Sequence, residues 1–238
     1  MFPVRETPRH ARGAVLSAAI TELRLPGDPA AWGRVGFDVS GERLVVGSVP
    51  IRLGAVFGWT LSGIGEPDLD GVPTELVAAP AASPPVAAHA PPESTAPLAG
   101  PPPLAPDSTP PVEHPIGATR IDHIVVLTPA LQRTIGAFER AGLRCRRVRA
   151  DGGPAGDMRQ AFFRLGEVIA EAVEVPGDET DAAARLWGVT FAVADLDAAA
   201  TRLGGLCAPI RDAVQPGRRI APLRRAADLG LPVALISD

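Results

Sequence analysis

The stretch IDHIVVLTP at residues 121–129 decides the fold of the C-terminal part of the chain. Its run of Ile, Val and Leu is typical of a buried β-strand, and the Thr-Pro pair ends that strand. Apolar side chains then recur at helical spacing at Leu131, Ile135, Phe138 and Ala141. A glycine follows at position 142, where a helix commonly ends. The stretch therefore predicts a strand that leads directly into an amphipathic helix.

The same order of elements occurs twice after residue 116. Three strands follow the first helix, with glycines at their turns, at residues 144–149, 159–165 and 168–175. A new strand at residues 188–193 and a helix capped by Asp195 then restart the pattern. The remaining strands of this second copy are predicted at residues 210–214, 219–223 and 232–236. Each copy therefore has the order β-α-β-β-β.

A shift of 65 residues superposes the two copies. It places Ile124 on Val189, Leu131 on Leu196 and Phe138 on Leu203. A duplicated βαβββ module is the simplest explanation. Since one module alone leaves a sheet face exposed, we expect the two sheets to pair, with the helices outside and a shared concavity inside.

A proline-rich segment at residues 80–116 divides the chain. Thirteen of the 27 prolines fall in these 37 residues, which contain no Arg and no aromatic residue. Such a composition buries too little apolar surface to offset its ordering entropy, so we expect a disordered linker. The linker separates an N-terminal unit at residues 13–79 from a domain at residues 117–238. The modules of that domain span residues 119–176 and 185–238.

The N-terminal unit is predicted to be a further βαβββ-like module. Its helix is expected at residues 29–35, with Asp28 as N-cap and Pro29 at the first helical position. The strands are expected at residues 18–25, 37–39, 43–46, 50–53 and 57–62.

Composition excludes several classes of function. All 23 basic residues are Arg, and the chain has no Tyr. A Schiff-base lysine, a P-loop lysine and a tyrosine acid or base are therefore excluded. The net charge is −4, so we expect no nucleic-acid partner. The arginines at residues 144–149 are interpreted as a solvated strand face.

Cysteine usage and hydropathy favour a cytoplasmic protein. Cys145 and Cys207 cannot form a disulfide framework, and neither belongs to a metal-binding motif. No apolar run reaches the roughly 18 residues of a membrane span. The short apolar run at residues 14–20 is interpreted as strand rather than signal peptide. We therefore expect a cytoplasmic protein with no membrane partner.

Three segments of the C-terminal domain carry a resemblance to a known superfamily. They are the first-strand segment at residues 121–129, FFRLG with VIAEAVE at residues 162–174, and WGVTFAVADL at residues 187–196. These segments resemble the modules of the glyoxalase/bleomycin resistance/dioxygenase, or vicinal oxygen chelate (VOC), superfamily. The resemblance implies an α+β fold in which paired βαβββ modules form a curved mixed sheet around a cup. The N-terminal unit shares the strand order but matches the motifs less well.

The resemblance also implies a place for a divalent metal such as Zn, Fe or Mn. Catalytic members of the superfamily hold a metal with a His on the first strand and a Glu or His on the fourth, from one or both modules. His123 falls on the first-strand position and Glu171 on the fourth-strand position, with Glu174 as the alternative register. Imidazole and carboxylate donors suit these metals.

The second module departs from this pattern. It has Gly188 in place of the histidine, and Ala234 or Ile236 in place of the carboxylate. Two protein donors hold a divalent ion poorly. We therefore expect no cofactor. A bound divalent metal remains an alternative if another chain or Asp238 supplies the missing ligands.

The preferred interpretation is a protein that binds a small organic molecule in the cup, as bleomycin resistance-type members do. Arg159 or Gln160 could help to orient the ligand. Because neighbouring residues of a strand alternate, half of the aromatic residues must face the helices instead. The residues expected to bind the ligand are His123, Phe162, Phe163, Glu171, Trp187 and Phe191.

Two other functions stay open. The first is a metal-dependent isomerase, lyase or dioxygenase that uses His123 and Glu171 as metal ligands. The second is a regulatory or assembly module, in which the N-terminal unit pairs with its counterpart in a homodimer because a lone module has an uncovered sheet face. His89 and His114 lie in the linker and are expected to have no role.

Overall fold

The computed structural model describes residues 18–77, 113–153, 156–175 and 181–238. Most of the predicted linker and the first residues of the predicted N-terminal unit lie outside these ranges. The described residues form two β-sheets with three α-helices. None of the described helices has the length and apolar character needed to cross a membrane.

The N-terminal unit is a small mixed sheet with one helix. Its elements are β1 (Ala19–Pro26), α1 (Pro29–Arg34), β2 (Arg43–Val46), β3 (Val49–Gly54), β4 (Gly58–Ser62) and β5 (Thr74–Leu76). The strand order in the sheet is β2-β3-β1-β4-β5. The helix begins as predicted, because the side chain of Asp28 accepts a hydrogen bond from the Ala30 N–H and Pro29 occupies the first turn.

The predicted strand at residues 37–39 does not form. Phe37 instead lies in the connection between α1 and β2. The centroid of its ring is 5.1 Å from that of Trp32 and 4.9 Å from that of Phe191, which belongs to the other sheet. The apolar residues of this segment therefore contribute to the core without joining a sheet. The short edge strand β5 is not predicted, since its sequence, Thr-Glu-Leu, has little apolar character.

Two helices and eight strands make up the C-terminal domain. The first module contains β6 (Ala118–Thr128), α2 (Leu131–Arg140), β7 (Cys145–Gly153), β8 (Gly156–Leu165) and β9 (Val168–Glu174). The second module contains β10 (Arg185–Val193), α3 (Leu196–Leu203), β11 (Arg211–Asp212), β12 (Arg219–Pro222) and β13 (Val233–Ser237). All eight strands form one sheet, in the order β11-β12-β13-β10-β6-β9-β8-β7.

The two modules repeat one pattern of strand pairing. The first strand of each module lies parallel to its last strand, β6 to β9 and β10 to β13. The modules join through the antiparallel pair of β6 and β10. In the N-terminal unit, β1 is likewise parallel to β3 and antiparallel to β4. The predicted α+β fold of paired βαβββ modules is therefore confirmed.

One face of the eight-stranded sheet, the convex face, packs against α2 and the N-terminal unit. Ile124 and Val126 on β6 are fully buried on this face. Phe191 on β10 is also fully buried, with its ring 6.0 Å from that of Trp32 in α1. The apolar faces of both sheets form one hydrophobic core. Burial of apolar surface on this scale is the main force that holds the two sheets together.

Polar contacts fix the N-terminal unit in place. The Asp70 carboxylate accepts hydrogen bonds from Arg133 Nε at 2.7 Å and Thr134 Oγ1 at 2.6 Å, both in α2. Ser48 Oγ lies 2.6 Å from Glu167 Oε1 at the β8–β9 turn. The expectation of an uncovered face on the N-terminal sheet is therefore wrong, because that face packs against the C-terminal domain of the same chain.

The C-terminal end of the predicted linker is anchored by His114. This side chain is buried, with 5% of its surface exposed. Its Nδ1 accepts a hydrogen bond from the Asp38 N–H at 3.0 Å. Its Nε2 lies 2.8 Å from the Val45 carbonyl oxygen. Since a backbone N–H can only donate, the ring proton is on Nε2. The expectation that His114 has no role is wrong, because it connects the chain to the N-terminal unit.

Candidate functional site

The other face of the C-terminal sheet, the concave face, encloses a cavity of about 750 Å³, called here the cup. Residues of both edge strands, β7 and β11, line it together with residues of the strands between them. The sheet must therefore curve around the cup, as the resemblance implied. Its apolar walls are Phe162 and Ile169 from the first module and Ile220 and Ile236 from the second.

His123 lies in the cup and is held by its neighbour Asp122. Its Nδ1 is 2.9 Å from Asp122 Oδ2. Adjacent residues of a regular strand point to opposite faces. Here the register with β10 shifts. His123 pairs with Thr190, but the next residue of β10, Phe191, pairs with Ile121. Asp122 is therefore the extra, unpaired residue of a β-bulge on β6. This bulge is what brings the two side chains together.

Asp122 determines which nitrogen of His123 faces the cup. Burial by itself would raise the pKa of Asp122, but hydrogen bonds from His123 and from Arg218 outweigh burial and lower this pKa. Arg218 Nη1 donates to Asp122 Oδ1 at 2.8 Å. Because an ionised carboxylate can only accept, His123 Nδ1 donates to it. In the neutral ring, Nε2 is therefore an acceptor directed toward Glu171.

Glu171 faces His123 from the parallel strand β9. Its Oε2 lies 3.8 Å from His123 Nε2, which is too far for a direct hydrogen bond. Burial raises the pKa of Glu171, and the charge of Arg149, together with that of His123 when its ring is protonated, only partly opposes this. Glu171 consequently keeps its proton to a higher pH than an exposed glutamate does. The pair offers a ligand one imidazole nitrogen and one carboxyl group.

Glu174, the alternative register, has a different role. Its Oε1 accepts a hydrogen bond from the Leu131 N–H at the start of α2 at 3.1 Å, and its Oε2 lies 3.2 Å from Arg159 Nη1. The carboxylate therefore stabilises the N-terminus of α2. Glu171, not Glu174, is the residue that the structure brings to His123, and Arg159 is bound to Glu174.

Two of the four predicted aromatic residues lie outside the cup. Phe163 is 1% exposed, with its ring 4.7 Å from Phe138 of α2. Phe191 is fully buried against the N-terminal unit. Both side chains point to the convex face, so the prediction that they line the cup is wrong.

Phe162 and Trp187 do reach the concave face. Phe162 lines the cup and pairs with Glu171 across β8 and β9. Trp187 is 42% exposed and lines an apolar extension of about 440 Å³. This extension shares Gln160 and Glu171 with the cup, so Trp187 lies at the rim rather than at the centre.

The donors of the cup do not fit a divalent metal. Only His123 Nε2 and Glu171 are close together, and across the described ranges no group of three or more His, Cys, Asp or Glu could hold an ion. The second module places Gly188 opposite Val125 and Ala234 opposite Thr190, and it places Ile236, the alternative position, in the lining of the cup. None of these three side chains has a donor atom. A structural or catalytic zinc site requires at least three protein donors.

Asp238 does not complete the set. Its Oδ2 accepts a hydrogen bond from Thr119 Oγ1 at 3.0 Å, and its carboxylate forms an ion pair with Arg120. These contacts direct the side chain toward the first residues of β6.

Several polar residues of the site were not assigned from the sequence. Asp122 and Arg218 support His123, while Arg147, Arg149 and Arg211 line the cup. The alternation of Arg147 and Arg149 is the signal that places both on one strand face. It does not reveal that this face is concave.

The chain is similar to solved structures over about half of its length. Methylmalonyl-CoA epimerase from Mycobacterium tuberculosis is 18% identical with a TM-score of 0.41, over 51% of this chain and 89% of that chain. An epimerase from Streptomyces coelicolor, in complex with 2-nitronate-propionyl-CoA, is 20% identical with a TM-score of 0.41, over 51% of this chain and 95% of that one. A hypothetical protein from Bacillus halodurans is 13% identical with a TM-score of 0.42, over 50% and 94%.

No protein-family model matches the chain, and no curated protein matches it significantly. The fold is therefore assigned from the order and pairing of the strands. By the order and pairing of those strands, the C-terminal domain has the vicinal oxygen chelate fold.

Proposed function

We propose that the cup of the C-terminal domain binds a small organic molecule without chemistry at a bound metal. The observation that carries the proposal is a cavity of about 750 Å³ that has apolar walls together with several polar and charged side chains. Small-molecule sites commonly have volumes of about 300–1,000 Å³ and combine apolar walls with polar groups that orient the ligand. Both modules contribute to the walls, so a ligand would contact the two halves of the sheet together.

The apolar walls would supply most of the affinity. Phe162 and Ile169 belong to the first module, whereas Ile220 and Ile236 belong to the second. A flat or branched apolar group between these walls would lose contact with water, which contributes about 25 cal/mol for each Å² buried. We therefore expect a ligand with an aromatic ring or a comparable apolar body.

His123 and Glu171 would orient the ligand. The lone pair on His123 Nε2 would accept a hydrogen bond from a hydroxyl or amino group. The Glu171 carboxyl group would accept a hydrogen bond when ionised and donate one to a carbonyl oxygen when protonated. Burial raises its pKa, so the protonated form persists to a higher pH than in an exposed glutamate. Because leaving a buried polar group unpaired costs about 1–3 kcal/mol, this pair would discriminate against ligands that lack matching groups.

The two alternative functions have less support. A metal-dependent isomerase, lyase or dioxygenase would need a third protein donor in the cup, where the second module has Gly188 and Ala234. A homodimer formed through the N-terminal unit was expected because its sheet face was predicted to be uncovered. That face instead packs against the C-terminal domain of the same chain, so the reason for expecting the homodimer no longer holds.

Titration with the neutral fluorophore N-phenyl-1-naphthylamine tests the proposal. We expect a saturable rise in fluorescence with one site per chain, unchanged by EDTA. Phe162→Ala should weaken binding about tenfold, because it removes one apolar wall. Val148→Ala is the matched control, since Val148 is 49% exposed on β7 and is not part of the cup.

Two results would contradict the proposal. One is the absence of saturable binding to the folded protein. The other is binding that EDTA abolishes and ZnCl₂ restores, which would favour the metal-dependent alternative.

A further inference from the structure

We propose that the ligand of the cup is an organic anion, held between arginines of the two opposite edge strands. This inference rests on the proposed function and names the chemical class of its ligand. It comes from the position, the pairing and the charge of Arg147, Arg149 and Arg211, which all line the cup.

The three arginines approach the cup from both sides. Arg147 and Arg149 lie two residues apart on β7 and so share one strand face. Their cross-strand partners on β8, Phe162 and Gln160, also line the cup. Arg211 lies on β11, at the opposite edge of the eight-stranded sheet. Because the sheet curves, arginines from its two edges line one cavity.

The charge of the lining is not balanced within the cup. The carboxyl groups among its lining residues are those of Glu171 and Asp212, against three guanidinium groups. Glu171 is also close to Arg149, whose charge acts on it. Arg147 and Arg211 form no ion pair with any of the described residues, although both line the same cavity as Asp212. Two cationic side chains are thus placed to bind an anionic group from outside the protein.

The chemistry of guanidinium defines the ligand class. Its planar array of N–H donors pairs with a carboxylate, phosphate or sulfonate, often through two parallel hydrogen bonds. The apolar walls of Phe162 and Ile220 require an apolar body in the same molecule. The expected ligand is therefore amphipathic, with an aromatic or branched apolar part and at least one anionic group.

Two fluorophores that differ by one sulfonate group test this inference. 1-Anilinonaphthalene-8-sulfonate is the anionic probe and N-phenyl-1-naphthylamine is the neutral one. We expect the folded protein to bind the sulfonate at least about tenfold more tightly at low ionic strength, as charge-assisted hydrogen bonds imply. This preference should decrease as NaCl is added, because salt screens partly exposed charges.

Substitution of the arginines separates the two contributions. The double variant Arg147→Gln/Arg211→Gln should lose about tenfold in affinity for the sulfonate and little for the neutral probe. The matched control is Arg144→Gln/Arg146→Gln, which removes the same charge near the start of β7 from exposed residues outside the cup. Equal melting temperatures for the two variants would confirm that both are folded.

The outcomes distinguish this inference from the proposed function. If neither probe binds the folded protein, the proposed function fails. If both probes bind equally, the organic-anion inference is overturned while ligand binding in the cup stands. An equal loss of sulfonate affinity in the control variant would also overturn it, because the effect would then come from net charge alone.

Discussion

The first and second modules of the C-terminal sheet have the same strand order but place different side chains in the cup. The first module contributes His123 and Glu171, whereas the second has Gly188 and Ala234 at the corresponding positions. Gly188 has a physical reason to stay a glycine, because a Cβ there would lie 2.9 Å from the Pro232 carbonyl oxygen. A histidine cannot occupy this position unless the backbone moves. The fold thus excludes a histidine at this one position of the second module, although Arg211 and Asp212 of that module do line the cup.

The same two modules also differ on the convex face. The 65-residue shift places Phe191 of the second module on Val126 of the first. Both are fully buried, but only the larger Phe191 ring packs against the aromatic rings of Trp32 and Phe37. Polar groups of the cup therefore come mainly from the first module, while aromatic packing on the N-terminal unit comes from the second.

The largest expected effect is on the packing of the second module. Phe191→Ala should lower the free energy of unfolding by about 3–5 kcal/mol, because it leaves a cavity beside the aromatic rings of Trp32 and Phe37. Chemical denaturation at pH 7 would measure the loss. Trp187→Ala on the same strand is the control and should change stability by less than about 1 kcal/mol, since Trp187 is 42% exposed. Equal losses would mean that the convex contact does not hold the two sheets together.

A smaller effect, dependent on pH, is expected in the first module. Asp122→Asn should cost about 1–3 kcal/mol at pH 7, because it removes the charge that pairs with Arg218 and His123. In the folded state, burial is outweighed by hydrogen bonds from His123 and Arg218, which lower the pKa of Asp122 from its ordinary value of 3.8. Its stabilising contribution is therefore complete well above pH 3.8 and is lost as the pH falls through the folded-state pKa.

Denaturation of both proteins between pH 2 and pH 7 would measure this effect. The difference between wild type and variant should shrink toward the acid end. Asp197→Asn is the control, because Asp197 forms an exposed ion pair with Arg219 and should contribute little at any pH. A loss that stays constant with pH would show that the charge of Asp122 is not its source.

The smallest expected effect tests whether the difference between the modules determines metal binding. Ala234→Glu should add a third donor to His123 and Glu171 and increase zinc affinity about tenfold. Isothermal titration with ZnCl₂ would measure the change. Adding His123→Ala to this variant should abolish the gain. Wild-type protein that already binds one zinc tightly would contradict the account of the cup.

Much of the secondary structure was predictable because apolar periodicity is local. The strand at Ala118–Thr128, the helix at Leu131–Arg140 and the start of the second module all follow from it. The segment at residues 37–39 was not predictable in the same way. Phe37 of this segment packs against Phe191 of the other sheet, which is far from it in the chain.

The candidate site was predictable only in part. His123 and Glu171 were found because the resemblance places a His and a Glu on the first and fourth strands. The link between Asp122 and His123 depends on a β-bulge, and a bulge is decided by pairing with β10 rather than by local sequence. The prediction that Phe163 and Phe191 line the cup failed. The alternation of side chains along a strand shows which residues share a face, but it does not show which face is concave.

By itself, the sequence determined the class of the fold, the duplication of the βαβββ module and the absence of a histidine and a carboxylate from the matching positions of the second module. These properties depend on the order of residue types along the chain. Only the tertiary structure decided which face of each strand lines the cup, and how the N-terminal sheet covers the other. It also brought arginines from β7 and β11 to one cavity. The physical reason is that curvature and sheet-on-sheet packing arise from contacts between residues far apart in the chain, and no local pattern contains them.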